Sequence, residues 1–551
     1  MGRSAPDWSR SPVLRVGGRP RRSAYVRFRV PGGMRTAKLW LYVTGGPRRV
    51  PISAVLVRGS TRSALRWAGR RSVAGTVGRT RSARMRRWIS IDVSRITRKP
   101  GVATLVLVSR GRRARLFSSR EGGRPPRLVL GRGPLRGTAA PPGAGPAGGS
   151  GGGPNPSGTL PAVVFAPAPP TRFVSPSGDD TGDCTRNDPC LTLNRAYAVA
   201  SLGETVQMAG GNYDYVNVQD YPPKDGSTCV SDPASGACVV VVAAPNSTVT
   251  IGSLTLGKDR TVPGPSGLVF LSGGSQRIVS RDTTLWQAAQ TALVGMSHRN
   301  YFMSGGSWVT LNGGEVGPEN TSDGTHPEIQ RVYGTRPLQV PQNVRFENVY
   351  FHDINTTAPK AHVDCLQVEN GTNMQIVGNR FERCGSVGLR MSFGVETEDG
   401  PPTNVLIENN SFGDCADIPV SRCYYSAQLG VGRNITVRNN SSSMSIQGPN
   451  SSGYNGGWDA VGVRYVGNAI NGTFEPCGPG YFSHNVVTGS TCGSGDRRVS
   501  SIGFLSSSDL RLRSGSPAIN AGDPRDFPAR DAVGVARPRG PAPDAGAYES
   551  G

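Results

Sequence analysis

A segment of 30 or 31 residues repeats in the second half of the chain, and this repeat constrains the fold more than any other feature. Its four clearest copies begin at Asn343, Asn373, Asn404 and Asn434. Each copy has apolar residues at its second and fourth positions, an alternation typical of a β-strand with one buried face. A repeat of this length fits one coil of three short strands, and successive coils would stack about 4.8 Å apart.

A second Asn follows five or six residues after the start of each copy, at Asn348, Asn379, Asn409 and Asn439. Asn tolerates left-handed backbone bends, and its amide can bind the equivalent amide of the next coil. We therefore expect these residues to form a structural ladder and to take no part in catalysis.

All ten cysteines lie after residue 183, and none forms a CxxC pair, so zinc and thioredoxin-type chemistry have no support. The even number and the close sequential spacing predict disulfides and an oxidising compartment. Pairing each cysteine with its neighbour gives Cys184–Cys190, Cys229–Cys238, Cys365–Cys384, Cys415–Cys423 and Cys477–Cys492.

The two ends of the repeat region resemble parts of known proteins. The stretch from Phe173, FVSPSGDDTGDC, with a helix expected at Leu191–Ala200, resembles the N-terminal cap of secreted parallel β-helix proteins. The DAGAYE run at 544–549 resembles the closing segment of many bacterial β-helix proteins. The resemblance implies a right-handed parallel β-helix of the pectate-lyase-like superfamily at 171–505, followed by a C-terminal cap segment at 506–551.

Short alternating strands such as AYVRFRV, AKLWLYV and ATLVLVS predict an all-β sandwich at residues 1–130. The closing Ser119-Arg120-Glu121 and Pro126-Arg127-Leu128 resemble the DNRLRE-type domain, which is classed as carbohydrate-binding module family 96. That resemblance covers residues 8–130 and implies a sandwich of jelly-roll type. In that family a further strand precedes the one near Leu14, so we expect a truncated sandwich.

Residues 131–170 are rich in Gly, Pro and Ala and predict a flexible linker between the two domains. The start of the chain, MGRSAPDWSRSPVLRVGG, contains no apolar signal region, although the cysteines indicate export. We therefore expect an export signal upstream of the printed start. No apolar run reaches transmembrane length, so we expect no membrane span.

The positive charge of the chain is concentrated at its beginning. Residues 1–136 contain 34 basic and three acidic residues, a net charge of +31, whereas the remainder has a net charge of −7. One interpretation is attraction to an anionic polymer, and the other is coding bias, because the chain contains 57 Arg and only five Lys. Few aromatic residues are interleaved with these Arg, so we expect no nucleic-acid partner.

The segment FHDINTTAPKAHVDCLQVEN, starting at Phe351, concentrates side chains that suit sugar hydroxyls and carboxylates. Aligning CLQV with GLRM places Gln367 beside Arg390, and SAQLG then places Gln428 one coil further. The stretch resembles the His-x-Asp-x-x-Gln strand of many pectate-lyase-like proteins. The candidate catalytic residues are His362, Asp364, Arg390 and Lys360, and the candidate substrate-binding residues are Gln367, Glu369, Gln428 and Asp353.

Two reactions compete for this cluster. A lyase that cuts a uronate polymer needs a base, for which Arg390, Lys360 or His362 are candidates, and often Ca²⁺ on acidic oxygens. A glycoside hydrolase needs two carboxyl groups, for which Asp353 and Asp364 are available. The paired Asp-Asp and Gly-His-Gly strings of polygalacturonase-like hydrolases are absent, which favours the lyase.

These observations together predict a secreted, monomeric protein that binds an anionic polysaccharide and cleaves it by β-elimination. The alternative is a non-catalytic adhesin or cell-surface binder that uses the β-helix as a rigid platform, since β-helices host enzymes and plain adhesins alike.

Overall fold

The computed structural model describes most of the chain from residue 167 onward and the strands of the region before it. The described residues are 13–17, 24–30, 35–45, 52–57, 76–80, 88–98, 101–109, 114–118, 127–131 and 167–550, the last with gaps at 220–223, 225–226, 233–236, 260, 322–327, 331–339, 357–362, 392–400, 416–422, 424 and 450–459. The chain divides into two compact units, Met1–Gly152 and Gly153–Gly551.

The first unit consists of antiparallel strands, as the alternating sequence predicts. They are β1 (Val13–Gly17), β2 (Ala24–Val30), β3 (Thr36–Gly45), β4 (Ile52–Val57), β5 (Thr76–Thr80), β6 (Trp88–Asp92), β7 (Gly101–Val108), β8 (Ala114–Ser118) and β9 (Arg127–Gly131). One sheet has the order β1-β8-β3-β6 with β9 also paired to β3, and the other has the order β2-β7-β4-β5. Apolar residues of both sheets, including Leu39, Leu105 and Phe117, form one core. A 3₁₀ turn, Ser94–Arg98, follows β6.

The second unit is a parallel β-helix, which confirms the fold predicted from the repeat. One of its long sheets is parallel throughout and contains the repeated strands. It consists of β10 (Arg172–Val174), β11 (Thr205–Met208), β13 (Val239–Ala243), β15 (Ser266–Leu271), β17 (Ala289–Val294), β19 (Ser307–Asn312), β23 (Gln342–Glu347), β27 (Thr372–Val377), β30 (Thr403–Glu408), β33 (Arg433–Arg438), β36 (Arg464–Val466) and β39 (Tyr481–Ser483).

The other long sheet begins as single long strands and then forks. Its strands are β12 (Gly211–Val218), β14 (Ser247–Leu256), β16 (Gln276–Trp286), β18 (Ser297–Ser304), β20 (Glu315–Val316), β22 (Glu328–Gln330), β24 (Tyr350–His352), β26 (Leu366–Val368), β28 (Arg380–Glu382), β29 (Leu389–Met391), β31 (Ser411–Phe412), β32 (Ala427–Gln428), β34 (Ser441–Ser442), β35 (Ile446–Gln447), β37 (Ala469–Ile470), β38 (Phe474–Glu475), β40 (Val486–Val487) and β41 (Arg497–Arg498).

The fork occurs at β18, whose first residues pair with β20 and whose last residues pair with β22. One branch then continues from β20 to β24 and β28, and the other continues from β22 to β26 and β29. A separate two-stranded sheet joins β21 (Glu319–Thr321) to β25 (Ile354–Thr356). The coils after the fork therefore contribute one short strand to each branch.

Stacked side chains fill the interior of the coils. The rings of Phe351, Phe381 and Phe412 stack with centroids 4.9 and 5.0 Å apart, close to the spacing between strands. A buried Asn ladder runs beside them through Asn379, Asn410, Asn440, Asn468 and Asn485 and ends on the carboxylate of Asp496. Each amide Nδ2 also donates to a backbone carbonyl, so the ladder satisfies polar groups that water cannot reach.

The predicted Asn ladder is therefore correct at Asn379 and wrong at Asn348, Asn409 and Asn439. Those three residues have φ angles of 55°, 55° and 49° and form the left-handed bend at the strand end. The left-handed bend and the ladder hydrogen bond, which the sequence analysis assigned to one position, therefore belong to neighbouring residues. The Asn that opens each repeat forms a second ladder on the exposed side, with Nδ2–Oδ1 distances of 3.0–3.2 Å along Asn343, Asn373, Asn404 and Asn434.

All five predicted cysteine pairs form disulfides. Cys365 and Cys384 lie on successive coils and join them next to the predicted site. The single α-helix of the described residues, α1 (Leu193–Val199), is shorter than predicted because Thr192 caps its N-terminus by accepting from the backbone of Arg195. Leu193, Ala196 and Tyr197 of this helix join the interior core at the start of the coils.

The C-terminal segment predicted as a cap lies along the corner of several coils. Asn409 Nδ2 donates to the carbonyl of Arg530, and Asn439 Nδ2 donates to the carbonyl of Asp544. Ala547 N donates to Ser441 Oγ, at 2.9 Å. This segment therefore accepts hydrogen bonds from the bend amides of coils that precede it by more than 100 residues.

Candidate functional site

A column of polar residues runs up one branch of the forked sheet. Register pairing places Glu328, Gln367, Arg390, Gln428, Gln447 and Glu475 in line on β22, β26, β29, β32, β35 and β38. We call these six positions the polar ladder. At about 4.8 Å per step the polar ladder extends roughly 24 Å. The predicted alignment of Gln367, Arg390 and Gln428 is observed, while their functional roles stay predictions.

Alternation along each strand explains why this column faces outward. Leu366, Leu389, Ala427, Ile446 and Phe474 precede the ladder residues in the chain, and all five are buried in the interior core. Because neighbouring side chains on a strand point to opposite faces, the residues that follow them point away from the core. Arg390, Gln428 and Gln447 are half-buried and Glu475 is exposed, whereas Gln367 is buried.

Arg390 is the positively charged member of the polar ladder. The carboxyl groups of Asp364 and Glu369, from the preceding coil, lie near it. Its Nη1 lies 3.6 Å from Oδ2 of Asp364, whose side chain is fully buried, whereas 29% of the Arg390 side chain is exposed. Glu369 accepts a hydrogen bond from Gln367 Nε2 at 3.0 Å. Gln367, Arg390 and these two carboxyl groups thus form one cluster, with Asp364 beneath the surface.

Burial dominates the protonation of both carboxyl groups. It raises the pKa of Asp364 to about 7, although the nearby Arg390 favours the ionised form and opposes the shift. Burial also raises the pKa of Glu369, against the opposing hydrogen bond from Gln367 and the charge of Arg390. The cluster therefore contains a group that gains and loses a proton near neutral pH, a property common at functional sites.

Asp353 belongs to a different corner of the coil. Its carboxylate accepts two hydrogen bonds from the guanidinium of Arg383, at 2.6 and 2.7 Å, and lies 2.8 Å from Nδ1 of His352. The bond from Arg383 is the main reason that the pKa of Asp353 is lowered to about 2. Tyr350 donates to Glu382 in the same corner network. Asp353 is thus an ion-paired group that joins two successive coils, and its substrate-binding role stays a prediction.

The predicted bases Lys360 and His362 lie outside the described residues. Within the part of the chain that the structure describes, no group of three or more His, Cys, Asp or Glu side chains is arranged to hold a metal ion. No helix in that same part is long and apolar enough to cross a membrane.

Sequence reasoning missed Glu328, Gln447 and Glu475 of the polar ladder. Its successive members are 39, 23, 38, 19 and 28 residues apart, because the loops on this side of the coil differ in length. A fixed repeat therefore cannot find them. The sequence signal that could have located Gln447 is an apolar residue followed by Gln, which occurs at Ala427-Gln428 and again at Ile446-Gln447.

Comparison with known proteins gives low similarities. No family model matches the sequence, and no curated protein matches it. Among solved structures, the chain is similar to pectate lyase Pel9A at 16% identity, with a TM-score of 0.37 over 69% of this chain and 96% of that chain. It is also similar to the catalytic unit of a GH87 α-1,3-glucanase from Streptomyces thermodiastaticus strain HF3-3, at 12% identity and a TM-score of 0.36 over 93% of each chain. Similarities at this level do not bear on activity, so the assignments below depend on the residues of this chain.

Proposed function

We propose that this protein binds an acidic polysaccharide along the polar ladder and cleaves it by β-elimination at Arg390. The observation that supports this proposal is the in-register column Gln367, Arg390 and Gln428, with Asp364 behind the Arg and Glu369 beside it. The half-buried amides of Gln428 and Gln447 are suited to bind sugar hydroxyls, which both donate and accept hydrogen bonds. Arg390 is suited to bind the carboxylate of a uronate.

In β-elimination a base removes the proton on the carbon next to the uronate carboxylate. The electron pair forms a carbon–carbon double bond, and the glycosidic oxygen leaves and takes up a proton. Negative charge builds on the carboxylate during this step, so the positive charge of Arg390 would stabilise the transition state. Glu369 is the described group best suited to accept the proton, because a raised pKa makes its carboxylate a stronger base. His362 and Lys360 stay candidates for the same role.

Asp364 would act through Arg390 and would not touch the sugar, because its side chain is fully buried. Its carboxyl group lies behind the guanidinium and would hold it in position. The carboxylate oxygens of Glu369, which is only partly buried, are the ligand type that Ca²⁺ prefers.

The test mixes the full chain with pectate, alginate and glycosaminoglycans, with Ca²⁺ or with chelator, and follows the ultraviolet absorbance of the unsaturated product. We expect one polymer to give product and Arg390→Ala to lower kcat/KM by about 100-fold or more. The control is Arg511→Ala, since Arg511 is an exposed, ion-paired Arg outside the ladder. An equal loss in both variants, or no loss in Arg390→Ala, would contradict the proposal.

A glycoside hydrolase is the second candidate, and the raised pKa of Glu369 favours it. A protonated carboxyl group that reaches the glycosidic oxygen is the general acid that hydrolysis requires. New reducing ends without ultraviolet absorbance would identify this reaction. Retention on a polysaccharide without any cleavage would identify the non-catalytic binder.

The disulfides and the charge distribution of the chain are consistent with an extracellular function. Five disulfides require an oxidising compartment, which supports secretion. The net charge of +31 at residues 1–136 would concentrate the protein on an anionic polymer. A carbohydrate-binding role for the first unit is part of the same proposal.

A further inference from the structure

The column that contains the polar ladder continues past Glu328 toward the N-terminal coils. Register pairing places Phe302 in line with Glu328 on one side and with Thr284 on the other. Trp286 lies two residues after Thr284 and therefore on the same face of the sheet. Phe302 thus continues the ladder column, and Trp286, whose register partner is Ser304, lies beside that column on the same face of the sheet.

The two rings face outward for the same reason as the ladder residues. Leu285, Tyr301 and Met303 lie next to them in the chain and are buried in the interior core. Trp286 and Phe302 are only partly buried, and their rings meet edge to face with centroids 5.1 Å apart. The pair therefore presents aromatic surface on the outside of the β-helix.

The backbone beneath this pair is tightly packed. A Cβ atom added at Gly257 or at Gly264 would lie 2.1 Å from the carbonyl oxygen of Trp286, so only glycine permits this approach. The loop that contains these glycines therefore packs directly against the end of β16. Such packing holds the backbone of Trp286 in place before any ligand arrives, which lowers the entropy lost on binding.

The chemistry of the pair fits a sugar ring. One face of a pyranose is lined by C–H groups, and aromatic rings bury such apolar surface while the hydroxyls stay in water or on polar side chains. Phe302 is three coil steps from Arg390, roughly 14 Å away. A sugar ring is about as long as one coil step, so a chain bound at Arg390 would reach the pair with its third or fourth ring.

We propose that Trp286 and Phe302 form a distal stacking subsite for the same polysaccharide chain that the polar ladder binds. This inference depends on the proposed function for the identity of the occupant. The occupant follows from continuity, because Phe302 shares a column with the ladder, and Trp286 contacts Phe302 on the same face of the same sheet. The subsite would bind an uncharged ring face and would therefore add affinity without contacting the carboxylates.

The test measures the affinity of the full chain for oligogalacturonates and oligoalginates of increasing length. We expect the affinity of the unmodified chain to rise until the oligomer spans Arg390 to Phe302. In Phe302→Ala and Trp286→Ala the rise should stop earlier, with a loss of about fivefold to tenfold for long oligomers and none for short ones. The control is Tyr481→Ala, because Tyr481 is an aromatic residue that is 50% exposed on the other long sheet.

A second variant keeps the test valid where an alanine variant fails to fold. Trp286→Phe retains an aromatic surface, so it should keep the length dependence while losing the fluorescence change that long oligomers cause. Equal length dependence in Phe302→Ala and the unmodified chain would overturn the subsite and leave the proposed cleavage intact. Length-dependent binding without cleavage would support the subsite and overturn the proposed cleavage. Absence of binding to every oligomer would overturn both the subsite and the proposed function.

Discussion

At the scale of single residues, Asp364 shows how burial and charge compete. The sequence marked it as a candidate because of its neighbours in the chain, and the structure places it 3.6 Å from Arg390 beneath the polar ladder. Whether a carboxyl group there is ionised depends on its solvation, which the residue order does not report. This is why sequence reasoning found the residue and could not assign its protonation.

The raised pKa of Asp364 predicts how stability changes with pH. The folded state binds this proton up to about pH 7, whereas the unfolded chain releases it near 3.8, so wild-type stability falls as pH rises between these values. The expected fall is on the order of a few kcal/mol. Asp364→Asn mimics the protonated form and should remove most of this slope. Urea unfolding at about pH 5 and about pH 8 checks it.

Asp353→Asn is the matched control, because its pKa shift has the opposite sign. Its folded pKa is lowered to about 2 by Arg383, so its contribution is present above the ordinary value of 3.8 and is lost as pH falls toward 2. This variant should be destabilised at both pH values. A steeper or unchanged slope in Asp364→Asn would contradict the assignment.

At the scale of strands and coils, the predictable features are those that repeat at a fixed interval. The strands β23, β27, β30 and β33 begin 30 or 31 residues apart, and their apolar positions were read directly from the sequence. The fork at β18 has no such signal, because it depends on loops of unequal length. The polar ladder lies beyond that fork, so only its second, third and fourth members, Gln367, Arg390 and Gln428, were aligned from the sequence.

The two Asn ladders should differ in their contribution to stability. Asn410→Ala removes the acceptor for the backbone N–H and Nδ2 of Asn379, both buried, and should cost about 2–4 kcal/mol of the free energy of unfolding. Asn404→Gly removes two exposed hydrogen bonds, and glycine tolerates the φ angle of 57°, so it should cost about 1 kcal/mol or less. Chemical denaturation of both variants measures the difference, and similar costs would show that the buried ladder has no special role.

At the scale of the whole molecule, the chain combines a strongly basic first region with an acidic remainder. If the basic region concentrates the protein on its polymer, binding to polygalacturonate should weaken at least tenfold between about 0.05 and 0.5 M NaCl, because salt screens charge. The same titration with uncharged dextran is the control. We expect KM to rise with salt while kcat changes little. Binding that is insensitive to salt would favour coding bias as the origin of the Arg content.

The contacts of residues 526–547 with the corner of the coils also bear on biosynthesis. Asp526 binds Arg438 and Arg464, and the carbonyl of Asp544 accepts from Asn439, which the ribosome adds 105 residues earlier. The middle coils therefore leave the exit tunnel before the groups that bind their bend amides and Arg464 are synthesised, whereas Arg438 already has Glu408 as a partner. These contacts form only after the C-terminal segment has been synthesised. On a stalled ribosome the coils could therefore stack, but they would lack the contacts of residues 526–547 at their corner.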